Sequence, residues 1–415
     1  MKKSLVLLLF VASLGFVSCE DNDDSLYADY LVARPLTISK AEFKNSVDII
    51  SPLPIKESGK IYAYQDYIFV NDKYRGVHVI DNSNPEAPKK ISFIKIAGNV
   101  DISVKDNYLY ADSIMDLVVL DISDINNIKI VNRLDNVLRD NVVWPANADF
   151  YEYDGIDYQT DILLGWETVT ERRLITEFEE RFTRGGDIFA LAEAANDASV
   201  GQGGSLARFK IVGDFLYAVD SHNINIFNIQ DLENPQDLED VYAGFDIETI
   251  FNRGQHLFLG SMSGMYIYDI SSPSSPTFVS EFQHGTACDP VVVDGDYAYV
   301  TLRGGNMCGA TESGLFIVDI SDIAAPTLAI SYPMDGPYGL GVKDEKLFVC
   351  DGDSGLKVYD KTDIEDLVAL NHFEDINTFD VIPLEDSLLM VGEEVLYQYE
   401  YLESSIELLS TLELN

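Results

Sequence analysis

The stretch "LFIVDISDIAAP", Leu315 to Pro326, decides the fold, because the chain says nearly the same thing elsewhere. "LVVLDISDINNI" begins at Leu117 and "MYIYDISSPSSP" at Met265. Each is an apolar tetrad closed by an acid and followed by a turn rich in Ser and Pro. Aligned, the tetrads with their closing polar residues are Val77–Asp81, Leu117–Asp121, Ile224–Asn228, Met265–Asp269, Leu315–Asp319, Leu356–Asp360 and a degenerate Leu396–Glu400. Successive closing positions lie 40, 107, 41, 50, 41 and 40 residues apart. The period is about 40, broken by one large and one small insertion.

A second element keeps step. "DYIFV" (66–70), "NYLYA" (107–111), "DFLYA" (214–218), "QHLFL" (255–259), "DYAYV" (296–300), "EKLFV" (345–349) and "DSLLM" (386–390) each precede a tetrad. Before most of them lies an alternating stretch such as "DISVKDN" or "PVVVDGD", and after each tetrad a turn leads into another, such as "PTFVSEFQ". Four short strands per unit, repeating every 40 or so residues, predict an all-β fold: a β-propeller of four-stranded blades. Seven copies predict seven blades, with six or eight as alternatives.

The tetrads are apolar at consecutive positions. A strand with one wet face alternates, whereas a strand covered on both faces does not. Blades stacked around an axis cover their middle strands on both sides. An open solenoid needs polar end caps, yet the apolar pattern persists to both ends of the repeat region, so a closed ring fits better. In Asp-Ile-Ser-x-x-x-x-Pro the Asp and Ser side chains bond nearby amides and Pro fixes φ. Asp121, Asp269 and Asp319 therefore read as turn formers. Val47–Ile55 reads as one more outer strand that completes the last blade. Ser39-x-x-Glu42 just before it is a capping box for a short helix.

"VHVIDNSNPEAP", "LVVLDISDINN" and "LFIVDISDIAAP" resemble the LVIVD repeat of bacterial β-propeller proteins. The resemblance covers about residues 60–136 and 206–400. Together with the N-terminal pattern it is similar to lipoproteins of Bacteroidota. It implies architecture and location, and transfers no catalytic residue.

The first 18 residues read as a secretory signal: Lys2 and Lys3, the apolar run Leu5 to Leu14, then small residues. The run is too short for a spanning helix of roughly 20 residues. Cys19 after Ser18 resembles a lipobox, with Phe16 where Leu is usual, so Cys19 is expected as the lipidated residue of a lipoprotein. The alternative is a secreted chain that discards Cys19. Residues 19–33 are expected as an acidic tether, since Glu20-Asp21-Asn22-Asp23-Asp24 repels itself. An acidic run after a lipidated Cys also resembles a surface-export signal, which points to the outer membrane and the cell surface, with a periplasm-facing leaflet as the alternative.

With 28 Lys and Arg against 70 Asp and Glu, the formal net charge is −42. Nucleic acid is excluded as a partner, because phosphate contacts need a basic stripe. An anionic lipid surface is disfavoured for the same reason, leaving the lipid as the only membrane anchor.

The propeller is expected over residues 34–415. Lettering strands A to D outward from the axis, the A–B and C–D turns share one face. The B–C loops and D-to-A crossings share the other, and every irregular connection falls there. The mixed insertion 137–205 is a crossing between the second and third blades, and "RGGNMCGATESG" (303–314) is a B–C loop. The insertion holds both tryptophans, Trp144 and Trp166, with Phe150, Tyr151, Tyr153 and Tyr158. It reads either as a mini-domain packing its own aromatics or as a ligand platform. "DIFALAEAAND" (187–197) within it reads as a short helix. Cys288 and Cys308 lie on this face of one blade and are expected to form a disulfide, which an oxidising compartment permits. Cys350 reads as a buried thiol. His284, Asp289 and Arg303 gather near the same rim: Arg303 either braces the loop through Asp289 or forms a carboxylate site with its planar fork.

No zincin helix, nucleophile elbow or phosphate loop appears, and no metal or cofactor is expected. "DGDSG" (351–355) lacks the further ligands of a calcium loop and reads as a B–C turn. The expected function is a non-catalytic binding module whose decorated face takes a glycan or an envelope protein. Two alternatives stay open. One is a carbohydrate-active enzyme with carboxylates converging at the axis. The other is a structural part of an envelope complex, with a broad apolar face.

Overall fold

A computed structural model describes residues 26–138, 148–153, 156–177, 202–283, 290–304 and 313–415. Its described residues build seven antiparallel sheets of the expected kind. Blade 1 comprises Ser58–Tyr64, Tyr67–Asp72, Gly76–Asp81 and Lys89–Lys95, and blade 2 Ile102–Lys105, Tyr108–Ser113, Asp116–Asp121 and Lys129–Leu134. Blade 3 has Phe209–Val212, Phe215–Val219 and Asn223–Asn228, with an outer edge split into Gln236–Asp237 and Val241–Tyr242. Blade 4 is Ile247–Arg253, His256–Ser261, Gly264–Asp269 and Thr277–Gln283, and blade 5 Val291–Asp294, Tyr297–Leu302, Gly314–Asp319 and Thr327–Pro333. Blade 6 is Leu340–Lys343, Lys346–Cys350, Leu356–Asp360 and Val368–Phe373, and blade 7 Asp380–Pro383, Ser387–Val391, Val395–Tyr401 and Ile406–Glu413. The A strands touch in cyclic order, 1 to 2 through 7 and back to 1, so the ring is closed.

The consecutive apolar tetrad now has its physical reason. In blade 2, Val118 and Leu120 enter the core shared with blade 1, while Leu117 and Val119 enter the core shared with blade 3. In blade 5, Leu315 and Ile317 face blade 6 and Val318 faces blade 4. Period-two alternation therefore persists, but both faces are buried. Each such side chain contributes roughly 1.5–3 kcal/mol by leaving water. The closing acids turn the chain as expected: Asp121, Asp269 and Asp319 accept from the amides of Ser123, Ser271 and Ser321 at 2.9, 2.8 and 2.8 Å. Bonds from the following Ser hold all three carboxyls below their ordinary range. Cys350 is a buried free thiol.

The helix Lys40–Phe43 is capped by Ser39, whose Oγ accepts from Glu42 N at 3.2 Å. The segment after it departs from expectation. Asp48–Ile50 pairs with the outer strand of blade 1 and does not complete blade 7. An apolar alternation does not state which sheet edge it joins, and blade 7 already owns four C-terminal strands. Ile55 does reach the seam: it lies in the core between blades 7 and 1, and its N–H donates to Leu414 O at 2.8 Å.

The chain divides into two compact units. The larger contains the ring together with residues 35–39 and 161–167, which lie on the decorated side of blades 1 and 2. Ile38, Ile162 and Leu164 pack there with Phe43, Ala97 and Ile114. In the smaller unit Val32 pairs in parallel with Phe150, and Arg173 lies 4.8 Å above the Phe150 ring. Arg34 and Arg173 there share the carboxylates of Glu152 and Glu171. Residues 27–33, assigned from sequence to the tether, thus belong to a strand, Tyr27–Ser39. "YADYLVA" (27–33) lies beyond the acidic run and alternates well enough to pair.

Candidate binding face

Strand order fixes the faces. Insertion 137–205 leaves after strand D of blade 2 and returns before strand A of blade 3, and the small insertion joins strands B and C of blade 5. Both therefore open on the face carrying the crossings.

The axis is reached from that face. Counting four residues back from the end of each A strand's hairpin gives Lys60, Asp101, Arg208, Thr249, Pro290, Gly339 and Asp380. All seven are buried. Lys60 Nζ lies 3.2 Å from Asp101 Oδ2, which also accepts from the N–H groups of Arg208 and Phe209 at 2.9 and 3.0 Å. Asp112 Oδ1 accepts from Val100 N and Asp101 N, both at 2.8 Å. Burial pushes Asp101 up, Asp112 up to about 6 and Asp380 up to about 7, and holds Lys60 down at about 8.

The insertion's return leg fills what remains. Gln202–Gly203 adds a strand to the inner edge of blade 1, opposite Ala63 and Tyr62. Ser205 Oγ accepts from Leu340 N at 2.8 Å in blade 6. Gly204 lies against the Asp380 carboxylate so closely that a Cβ there would sit 1.8 Å from Oδ1. Asp101, Asp112 and Asp380 thus each accept from at least one backbone N–H beneath a chain segment. Asp101 also faces the Lys60 ammonium, while Asp380 Oδ2 is buried without a hydrogen-bond partner among the described residues. The offset of four was readable from the sequence, but what it meant required the closed ring.

Among the residues singled out from sequence, Arg303 lies on the decorated face, its guanidinium 4.1 Å above the Tyr338 ring. Tyr338 in turn meets Phe379 at 5.2 Å, so the stack joins connections of blades 5, 6 and 7. A guanidinium resting on a ring keeps its edge for bidentate contacts. Trp166 is corrected: at 4% exposure it packs edge-on to Tyr153, with centroids 5.6 Å apart, and presents no platform. Tyr153 and Tyr158 from the same insertion are exposed, at 48% and 59%. Cys19, Trp144, His284, Cys288, Asp289 and Cys308 lie outside the described residues, as does the expected helix 187–197. "DGDSG" is a turn: Asp351 accepts from Gly336 N at 2.8 Å and is ion-paired with Lys357. Among the described residues no His, Cys, Asp and Glu cluster is arranged to hold a metal ion.

Four stretches match the LVIVD repeat model: 57–92, 97–135, 253–283 and 284–333. They fall on blades 1, 2, 4 and 5. Blades 3, 6 and 7 share the strand order with more divergent sequence. No curated protein matches the chain. Solved structures resemble its fold. A Lactobacillus plantarum protein is 11% identical with a TM-score of 0.51, covering 79% of this chain and 88% of its own. The periplasmic gluconolactonase PpgL of Pseudomonas aeruginosa is 8% identical with a TM-score of 0.51, covering 86% and 96%. Kluyveromyces lactis Hsv2 is 11% identical with a TM-score of 0.48, covering 86% and 100%.

Proposed function

We propose that this protein is a lipid-anchored, surface-displayed binding module of a bacterial envelope, held through Cys19 and engaging a glycan or an envelope protein with its decorated face. One observation carries the binding reading: every long connection opens on one face, while the axis behind it is closed by the chain itself. Loops of such length on a rigid repeat scaffold are where recognition concentrates. A carbohydrate-active site at the axis is the weaker reading, because the carboxylates there are buried and already accept hydrogen bonds from the backbone. Cys288 and Cys308 form a disulfide in this proposal, and Arg303 offers its guanidinium edge beside it.

The test is pull-down of envelope proteins together with glycan binding, comparing wild type with a deletion of residues 140–200 that keeps the axial segment 202–208. Loss of binding in a folded deletion supports the reading, and identical binding overturns the insertion's part in it. Non-reducing peptide mapping that finds both cysteines as thiols discards the disulfide.

A further inference from the structure

The crossing between blades 3 and 4 displays exposed aromatic side chains. Phe245 is 63% exposed and Tyr242 58%. Their rings stand edge to face, 6.1 Å apart at 84°. His222, exposed in the B–C turn of blade 3, meets Phe245 at 5.5 Å and 78°. Tyr266 of blade 4 lies beneath the crossing, against Gly244. That glycine has φ +147°, and a Cβ on it would come 3.0 Å from the Tyr266 ring.

The crossing is rigid. Ala243 N and Gly244 N donate to His222 O at 2.7 and 3.3 Å, and Ile247 N donates to Ser221 O at 3.0 Å. On the other flank Met262 N donates to Asp246 O at 3.2 Å. An aromatic on a loose tip is an ordinary surface residue, but one fixed from both neighbouring blades is preorganised and loses little freedom on binding. Polar groups rim the patch: the Tyr242 hydroxyl, the His222 imidazole, and the Tyr266 hydroxyl with Ser263 Oγ 3.3 Å away. A flat apolar surface edged by hydroxyls and an imidazole complements a pyranose, whose C–H face is apolar and whose rim is hydroxylated.

Charge narrows the class. Residues 211–252 contain no Lys or Arg, and Asp220, Asp240 and Asp246 flank the patch in sequence. Phosphate, sulfate and uronate groups therefore find no cationic partner in this stretch, and the net charge of −42 disfavours them further. We propose that Tyr242, Phe245 and His222, backed by Tyr266, form a subsite for a neutral pyranose unit of a glycan chain. This rests on the binding-face reading and specifies its ligand.

The experiment is calorimetric titration of the protein with cello-, malto-, xylo- and mannohexaose. The variants are Phe245→Ala, Tyr242→Ala, Phe245→Trp and Arg303→Ala, each checked for an unchanged urea midpoint. The expected result is that wild type binds at least one hexasaccharide. Phe245→Ala and Tyr242→Ala then weaken binding about tenfold, the scale of one lost stacking ring, while Phe245→Trp keeps it. Binding of none of the four by wild type overturns the subsite. So does binding indifferent to both alanine variants. If Arg303→Ala abolishes glycan binding while those two do not, the face reading stands and this subsite falls. If Phe245→Ala removes capture of an envelope protein and no hexasaccharide binds, the patch is a protein contact and the proposal fails.

Discussion

Gly204→Ala tests the closed axis most directly. A Cβ on Gly204 would stand 1.8 and 2.1 Å from the two Asp380 carboxylate oxygens. The carboxylate is closely held at Oδ1. Asp380 is fully buried, Oδ1 accepts from Val381 N at 2.9 Å, and the Gly339 side leaves only 2.6 Å between Oδ1 and an added Cβ. Either the return segment withdraws from blade 1 or the carboxylate turns off its amide. Overpacking of this kind costs about 1–3 kcal/mol, and a strained bond to a charged acceptor adds to it. We expect a loss of about 3 kcal/mol, read from urea unfolding by intrinsic fluorescence with an unchanged slope. Asp380→Ala removes the obstacle, so in that background Gly204→Ala should cost less than about 1 kcal/mol, a coupling the double-mutant cycle measures. Wild-type stability for Gly204→Ala, or an equal loss in both backgrounds, would refute the placement of this segment on the axis.

Leu117→Ala should destabilise by about 2–5 kcal/mol, because Leu117 is wholly buried between blades 2 and 3; urea midpoints check it. Lys60→Met leaves Asp101 buried without its ammonium and should cost about 3–5 kcal/mol, partly recovered by adding Asp101→Asn in the same assay. Asp380 and Asp112 are raised by burial from 3.8 to about 7 and about 6. Across that window the folded chain holds more protons than the unfolded one, so these two groups make stability fall as pH rises. Asp380→Asn should flatten the upper part of that slope in urea midpoints taken across the window, and an unaltered slope would show that this carboxyl does not titrate above the ordinary carboxylate range.

The blades were legible because a repeat states its own rule many times: seven tetrads, each with its closing polar residue, left little freedom of interpretation. Turn chemistry was legible for the same reason, since Asp121 and Ser123 act within three residues of one another. Edge choice was not. Asp48–Ile50 looks like any outer strand, and only the competition among edges sends it to blade 1. Composition could not choose between a packed and a displayed Trp166, because it reports an aromatic but not which side of it is covered. Tyr242 and Phe245 escaped notice because blade 3 has a broken outer strand, and "EDVYAGFDIETI" (239–250) passes for a degenerate strand filler. The axial charges escaped because each is alone in its own blade.

The return leg at Gln202–Ser205 has a consequence for how the ring holds together. Consecutive blades are tied by the chain running from one to the next, but blades 7 and 1 come from opposite ends of the repeat region and have no such tie. At that gap the segment pairs with strand A of blade 1, rests on Asp380 of blade 7 and receives a bond from blade 6. A stretch inherited from an excursion thus serves as the clasp. Beside the Ile55–Leu414 bond at the same seam, this segment couples the connection between blades 2 and 3 to the closing of the whole circle, so changes in that connection bear on how readily the ring springs open.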